Sequence, residues 1–238
     1  MRRWMRTLGL VAVLAVVGAA CSDDGGSGAA STTGGTGMAS PATGSMDGME
    51  HMASIDTGAA SLRTTLSNLL QEHVYLAGIA TGTAIEQGPD SKAFAAAAET
   101  LDRNSQALAD AVASVYGEDG GATFLDIWRA HIGMFVDYTV GAATGDDQMK
   151  EQARADLDGY RADFGAFIES ATGGILTKDA VAEELAPHVQ TLTAAIDAQA
   201  AGNPDAYALL AEAASHMPMT ADVLAGAFVQ QFPEKFAA

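Results

Sequence analysis

Apolar residues recur every three to four positions through most of the chain after about residue 60, which is the period of an amphipathic α-helix. Glycine, proline, asparagine and aspartate interrupt this pattern where helices are expected to stop and start. No segment alternates as strongly as a strand would, so the pattern predicts an all-α fold. The predicted helices are 60–87, 91–116, 123–143, 147–172, 178–201 and 205–231.

The six predicted helices form a threefold repeat. His73, His131 and His188 recur at intervals of 58 and 57 residues, and each opens a similar phrase. A turn follows each histidine after about fourteen residues, and each returning helix carries an Ala-Asp pair. The repeat predicts a helical bundle of three antiparallel helix hairpins.

Local signals predict how some of these helices begin. Thr123 with Asp126 resembles a capping box, and Thr177 is expected to cap the fifth helix. Pro187 and Pro218 fall inside predicted helices, where proline either kinks or breaks the helix.

The first 21 residues have the layout of a secretory signal peptide: a basic start, an apolar run and no acidic residue. The sequence Gly18-Ala19-Ala20-Cys21 resembles the lipobox of bacterial lipoproteins, in which the cysteine is acylated. This resemblance implies a lipid anchor on Cys21 that holds the protein at the extracytoplasmic face of the cell membrane. Gly18 stands where the lipobox prefers Leu or Val, and a plain signal peptidase site is the alternative.

Residues 22–57 are rich in Gly, Ser, Thr and Ala, which predicts a disordered tether before a bundle at 58–238. Met46, Met49, His51 and Met52 lie in this tether, where there is no core for them to fill. Thioethers are soft ligands that select Cu(I), and imidazole binds either oxidation state of copper. The tract therefore predicts copper binding. The alternative is that these residues arose by drift in the composition of a disordered tether and bind no metal.

A second Met/His cluster is predicted in the third hairpin. In an antiparallel hairpin, the residue opposite a given position lies equally far along the chain on the other side of the turn, which we call its reflection. Reflection of His188 through the turn at 202–203 brings it level with Met217, next to His216 and Met219. Histidine with methionine beside a helix kink favours copper over zinc or calcium. The alternative is that these are structural histidines and core methionines.

The other two histidines also acquire predicted neighbours by reflection. His73 falls opposite Asn104, and His131 falls opposite Gly159 and Tyr160. A convergence of His73, His131 and His188 as three zinc ligands is a further alternative, which needs all three helices to face one axis. The aromatic residues Trp128, Phe135 and Tyr138 are expected in the core.

Composition excludes several function classes. The 238 residues carry a formal net charge of −18, which argues against nucleic acid because phosphate binding needs a basic face. A single cysteine excludes an internal disulfide and a CxxC metal site. The chain has no G-x-S-x-G, H-E-x-x-H, P-loop or dinucleotide motif and no E-x-x-H ferritin pair, so no enzyme and no organic cofactor are predicted.

Three sequence segments resemble those of an uncharacterised family of bacterial secreted helical proteins. They begin at His73, Trp128 and Ala221, and the last closes on Gln231-Phe232-Pro233-Glu234-Lys235-Phe236, a "QFPxKF" pattern. The resemblance implies the three-hairpin layout and brings no activity with it.

The sequence thus predicts a membrane-anchored extracytoplasmic lipoprotein that binds copper, or a similar metal, for buffering or delivery without catalysis. The alternative is a structural or protein-interaction module of the cell envelope that offers its bundle to a protein partner.

Overall fold

A computed structural model describes residues 57–237, and these residues form helices and no strand. The all-α bundle that the sequence predicts is confirmed. The helices are α1 (Gly58–Gln87), α2 (Lys92–Tyr116), α3 (Glu118–Thr144), α4 (Asp147–Ala171), α5 (Lys178–Glu184), α6 (Ala186–Ala200), α7 (Ala206–Ser215), α8 (Met217–Gln231) and α9 (Pro233–Phe236).

Helices that follow one another along the chain pack as neighbours. α1 packs on α2, α3 on α4, and α6 on α7. α1 also contacts α3, α6, α7 and α8, so it is the central helix of the bundle. The face of α1 that carries His73 therefore lies in the interior.

The two prolines inside predicted helices mark breaks. The predicted helix 178–201 divides into α5 and α6 at Leu185, and 205–231 divides into α7 and α8 at His216. Pro187 and Pro218 are each the second residue of the new helix. Proline is tolerated there because the first turn of a helix has no intrahelical acceptor for its N–H groups.

The capping box predicted at Thr123 is wrong. α3 begins at Glu118, and Thr123 lies within it with Oγ1 donating to the Asp119 carbonyl oxygen at 2.8 Å. Gly117 allows the earlier start because its φ of 81° closes α2 and opens α3 directly. The cap predicted at Thr177 is confirmed, since its side chain accepts from the Ala180 N–H.

None of the helices within residues 57–237 is both long enough and apolar enough to span a membrane. The predicted signal peptide, residues 1–21, and nearly all of the predicted tether, residues 22–57, lie outside the described residues, as does Ala238.

Candidate functional site

Three buried histidines, one from each repeat, lie in the centre of the bundle. His73 on α1, His131 on α3 and His188 on α6 are 2%, 4% and 7% exposed. The ring centroids of His73 and His131 are 5.5 Å apart. Phe135 connects this pair to the third histidine, because its ring centroid lies 6.1 Å from that of His131 and 6.3 Å from that of His188. The repeat therefore brings its three histidines to one region of the core.

An aromatic cluster surrounds His131. Its imidazole stacks on the Tyr160 ring of α4, with centroids 4.8 Å apart and an interplanar angle of 26°, and lies 4.6 Å from Trp128. Phe124 stacks on Trp128 at 5.2 Å, and Phe164 stacks on Tyr160 at 5.6 Å. The predicted pairing of His131 with Tyr160 is confirmed, because both lie at a similar distance from the turn between α3 and α4.

Burial keeps the three central imidazoles uncharged at neutral pH. It lowers the pKa of His73 to about 3 and that of His188 to about 4, and it lowers the pKa of His131 well below its usual value. Neighbouring imidazoles add to these effects: His188 acts on His73, and His216 acts on His188. A neutral imidazole can bind a metal, or can donate one hydrogen bond and accept another.

A cavity of about 90 Å³ lies inside the bundle, lined by residues of α1, α2, α3, α4, α6 and α8. Its lining is mostly aliphatic and aromatic, and includes Trp128, His131, Tyr160, His188 and Met217. Protein interiors have few voids larger than one water molecule. The cavity therefore marks a place where this core departs from close packing.

Several polar atoms of the cavity's lining residues are buried and make no hydrogen bond within the described part of the chain. Such an atom costs about 1–3 kcal/mol of stability. The atoms are Trp128 Nε1, His131 Nδ1, Tyr160 Oη, Arg161 Nε and His188 Nδ1. His73 Nδ1 is also buried and unpaired, and it lies on a smaller neighbouring cavity that His131 shares.

The predicted copper residues of the third hairpin divide into two groups. His188 and Met217 line the same cavity, and His216 lies close enough to lower the pKa of His188. Met219 is 54% exposed, whereas Met217 is 3% exposed. The two methionines thus occupy opposite sides of the first turn of α8, and only Met217 accompanies the histidines.

Within residues 57–237, no group of three or more His, Cys, Asp or Glu side chains is arranged to hold a metal ion. The zinc alternative is therefore not supported there, although His73, His131 and His188 do converge.

The tether residues Met46, Met49, His51 and Met52 lie outside the described residues, and so does Cys21. Copper binding by the tether and lipidation of the cysteine stay predictions.

The core positions expected for Trp128, Phe135 and Tyr138 are confirmed, since all three are at most 7% exposed. The sequence pattern indicated no role for the Trp128 indole N–H or the Tyr160 hydroxyl, neither of which has a hydrogen-bond partner among the described residues. One signal was available: reflection already placed Tyr160 opposite His131, so a polar aromatic pair in the core could have been anticipated.

No protein-family model, no curated protein and no solved structure matches this chain. The resemblance to an uncharacterised secreted family therefore stays a prediction, and a proposed function must rest on the chain's own residues.

Proposed function

We propose that this protein is an extracytoplasmic lipoprotein, anchored in the cell membrane through Cys21, that binds copper or a similar soft metal for buffering or delivery without catalysis. One observation carries the bundle's part of this proposal: His188 and Met217 line one cavity, and His216 immediately precedes Met217 at the break between α7 and α8. The tether's Met46, Met49, His51 and Met52 form the second, sequence-based part.

The chemistry of these three side chains suits Cu(I). Thioether sulfur and imidazole nitrogen are both ligands that Cu(I) accepts, whereas calcium and magnesium need oxygen ligands. Because the pKa of His188 is lowered to about 4, protons do not compete with a metal for its ring at neutral pH. The surrounding apolar core would exclude other ligands and shield the metal from water.

Cu(I) titration against a competing chromogenic chelator tests the proposal on the mature chain. Met217→Leu removes the sulfur with little change in volume, so it should weaken the tightest Cu(I) equivalent by at least about tenfold. Met219→Leu is the matched control, because that sulfur is exposed on the other side of the helix. It should leave the tight equivalent unchanged.

The tether requires a separate variant of the full mature chain. Met46→Leu, Met49→Leu and Met52→Leu together should remove weaker Cu(I) equivalents and spare the tight one. A flexible segment loses conformational entropy when it wraps a metal, whereas residues on packed helices are already ordered. If this triple variant loses all Cu(I) binding, the bundle site is wrong; if the mature chain binds no more tightly than a scrambled tether peptide, copper binding is wrong altogether.

A surface observation favours the alternative of a protein-interaction module. Tyr75 and Ile79 lie one turn apart on α1 and are 45% and 57% exposed, and Tyr207 on α7 is 78% exposed. These large apolar side chains belong to two helices in contact, since Leu210 of α7 packs against Gly78 of α1. The copper titration separates the two functions, because the interaction module predicts no specific Cu(I) binding.

A further inference from the structure

A second cavity, of about 180 Å³, lies between α4, α5 and α8, and we call it the outer cavity. Ala180 of α5 and Val223 of α8 both line it and are both exposed, so it reaches the protein surface between these two helices. Its other lining residues are mostly aliphatic, such as Leu176 and Val181. Burial of an apolar group in such a space is favourable, because the group leaves water. The outer cavity is therefore suited to the apolar part of a ligand.

The outer cavity adjoins the cavity of about 90 Å³ in the centre of the bundle, which we call the core cavity. Four residues line both cavities, namely Phe164, Leu185, Thr220 and Leu224. The two cavities therefore lie side by side, with these side chains between them. Together they extend from the surface towards Trp128, which lines the core cavity.

The arrangement of the two cavities favours a chain over a ring. An engineered apolar cavity of about 150 Å³ takes up benzene, so the outer cavity alone has room for about six carbon atoms. A longer ligand reaches the core cavity only if it is narrow enough to pass between side chains such as Phe164 and Leu224. A single unbranched aliphatic chain is narrow along its whole length, and each further methylene group buries more apolar area.

The polar residues of the outer cavity define the ligand's head group. Glu184 is the one charged residue among those that line this cavity, and Thr220 Oγ1 lies 3.4 Å from Glu184 Oε1. A carboxylate accepts hydrogen bonds and repels a second negative charge, and the protein's formal net charge is −18. Arg161 lines the core cavity, but its guanidinium already donates to the Ala182 carbonyl oxygen and to Asp158. The head group that fits is therefore a hydrogen-bond donor without negative charge.

We propose that the outer and core cavities together bind one unbranched aliphatic chain whose head group is a hydroxyl or another donor without negative charge. The chain enters between α5 and α8, passes Leu224 and ends in the core cavity, and the head group stays beside Glu184. This inference goes beyond copper binding, because it needs no metal ion and no hydrogen bond inside the core.

The test protein is the full mature chain with Cys21→Ser, which has no cysteine to acylate and needs no detergent that would compete for the site. Calorimetric titration, with a metal chelator present, compares 1-octanol with cyclooctanol, which has the same hydroxyl and the same number of carbon atoms in a ring. 1-Octanol should bind at least about tenfold more tightly, because its terminal methylene groups are buried in the core cavity. From 1-butanol to 1-octanol the affinity should rise about fourfold for each methylene group.

Trp128 reports whether the chain reaches the core cavity. It lines that cavity and is the only tryptophan after residue 21, so its fluorescence comes from one site. Saturation with 1-octanol should change this fluorescence, and the change should follow the calorimetric binding curve. Bound 1-octanol that leaves the fluorescence unchanged would overturn the placement of the chain in the core cavity.

Octanoate tests the head group, since it has the same number of carbon atoms with a negative charge. It should bind more weakly than 1-octanol, and Glu184→Gln should raise its affinity by about threefold because the variant removes the repelling charge. The affinity for 1-octanol should change little, because the glutamine amide oxygen still accepts a hydrogen bond. Octanoate that binds as tightly as 1-octanol would refute the role of Glu184.

Ala180→Leu tests the entrance between α5 and α8. Ala180 is exposed, so the larger side chain can occupy the outer cavity without disturbing the core. The variant should lower the affinity for 1-octanol by at least about tenfold, because leucine takes the place of several ligand carbon atoms. Ala208→Leu is the matched control, since Ala208 is exposed on α7 and lines neither cavity. It should leave the affinity unchanged, and circular dichroism checks that both variants keep their helices.

Three further outcomes would overturn the proposal. The first is the absence of saturable 1-octanol binding. The second is equal affinity for 1-octanol and cyclooctanol, which would show that the cavities do not select a chain. The third is an equal effect of Ala180→Leu and Ala208→Leu, which would place the alcohol elsewhere. All titrations contain the chelator, so each of these results is distinct from a failure of copper binding.

Discussion

Tyr138 on α3 donates a hydrogen bond of 2.8 Å from its hydroxyl to Asp197 Oδ2 on α6. The same hydroxyl accepts from Arg154 of α4 at 2.8 Å, and Lys150 Nζ lies 2.8 Å from the other oxygen of Asp197. One phenol thereby connects the second hairpin to the third. Tyr138 and Tyr160 are both buried tyrosines of the second hairpin, yet of the two only the Tyr138 hydroxyl has hydrogen-bond partners among the described residues.

Replacement of the connected hydroxyl should therefore destabilise the fold. Tyr138→Phe is expected to lower the free energy of unfolding by about 1–2 kcal/mol, because it removes hydrogen bonds to two charged groups. Urea unfolding followed by circular dichroism measures the change. The control is Tyr160→Phe, which deletes an unpaired hydroxyl and should cause no loss; a similar loss in both variants would contradict the assignment of partners.

Stability should fall as the pH drops from about 6.5 towards 4. Imidazoles of the unfolded chain take up protons near pH 6.5, whereas burial lowers the folded-state pKa of His73 to about 3 and that of His188 to about 4. The unfolded state therefore binds more protons in this range, and each histidine contributes a slope of up to about 1.4 kcal/mol per pH unit. Above about pH 6.5 neither state is protonated, and this contribution is constant.

Urea unfolding at pH 7.5, 6 and 5 measures this dependence, and His188→Gln should reduce its slope. An unchanged slope in that variant would show that His188 is not buried as a neutral group.

Carboxylates act at lower pH: the hydrogen bond from Arg129 lowers the pKa of Asp102, and the hydrogen bond from Arg63 lowers the pKa of Asp222. Their contribution is present above about pH 4 and is lost below it, so the two ranges are separable.

Two helical glycines should respond in opposite ways to alanine. A Cβ at Gly165 of α4 would lie 2.4 Å from the Lys178 carbonyl oxygen at the start of α5, so Gly165→Ala should cost about 1–3 kcal/mol. A Cβ at Gly133 of α3 meets nothing within 4 Å. Gly133→Ala should stabilise the protein by about 0.5–1 kcal/mol, because alanine loses less backbone entropy in a helix. Thermal unfolding distinguishes the signs, and equal effects would contradict the close contact between α4 and α5.

The proposed lipid anchor predicts a change of location. Cys21→Ser removes the only thiol that can be acylated, so the variant should leave the membrane fraction and appear in soluble extracytoplasmic material or in the medium. Cell fractionation with an antibody to the bundle measures this. The variant's bundle should keep its helical circular dichroism, and retention of the variant in the membrane would refute the anchor.

The sequence by itself determined the helical spans, their pairing and the neighbours of His131, whereas the convergence of His73, His131 and His188 was only an alternative. Helical periodicity and turn residues are local properties, so they predicted the six spans and the neighbours of His131 before any tertiary contact was known. They failed at the start of α3, where Gly117 with positive φ lets the helix begin before the polar pair at Thr123. With the earlier start, Gly121 lies in the first turn of α3 and close against α2, where a Cβ would be 2.8 Å from the Ala109 carbonyl oxygen.

Only the tertiary structure decided which polar atoms are satisfied and which side chains share a space. Met217 and Met219 are equivalent in type and two residues apart, yet one lines the cavity and the other faces solvent. Tyr138 and Tyr160 are both buried, yet the Tyr138 hydroxyl has charged partners and the Tyr160 hydroxyl has none among the described residues. A hydrogen bond depends on tenths of an ångström between atoms of different helices, and a cavity depends on how all the surrounding side chains fit together. Neither is a property of any single segment of the sequence.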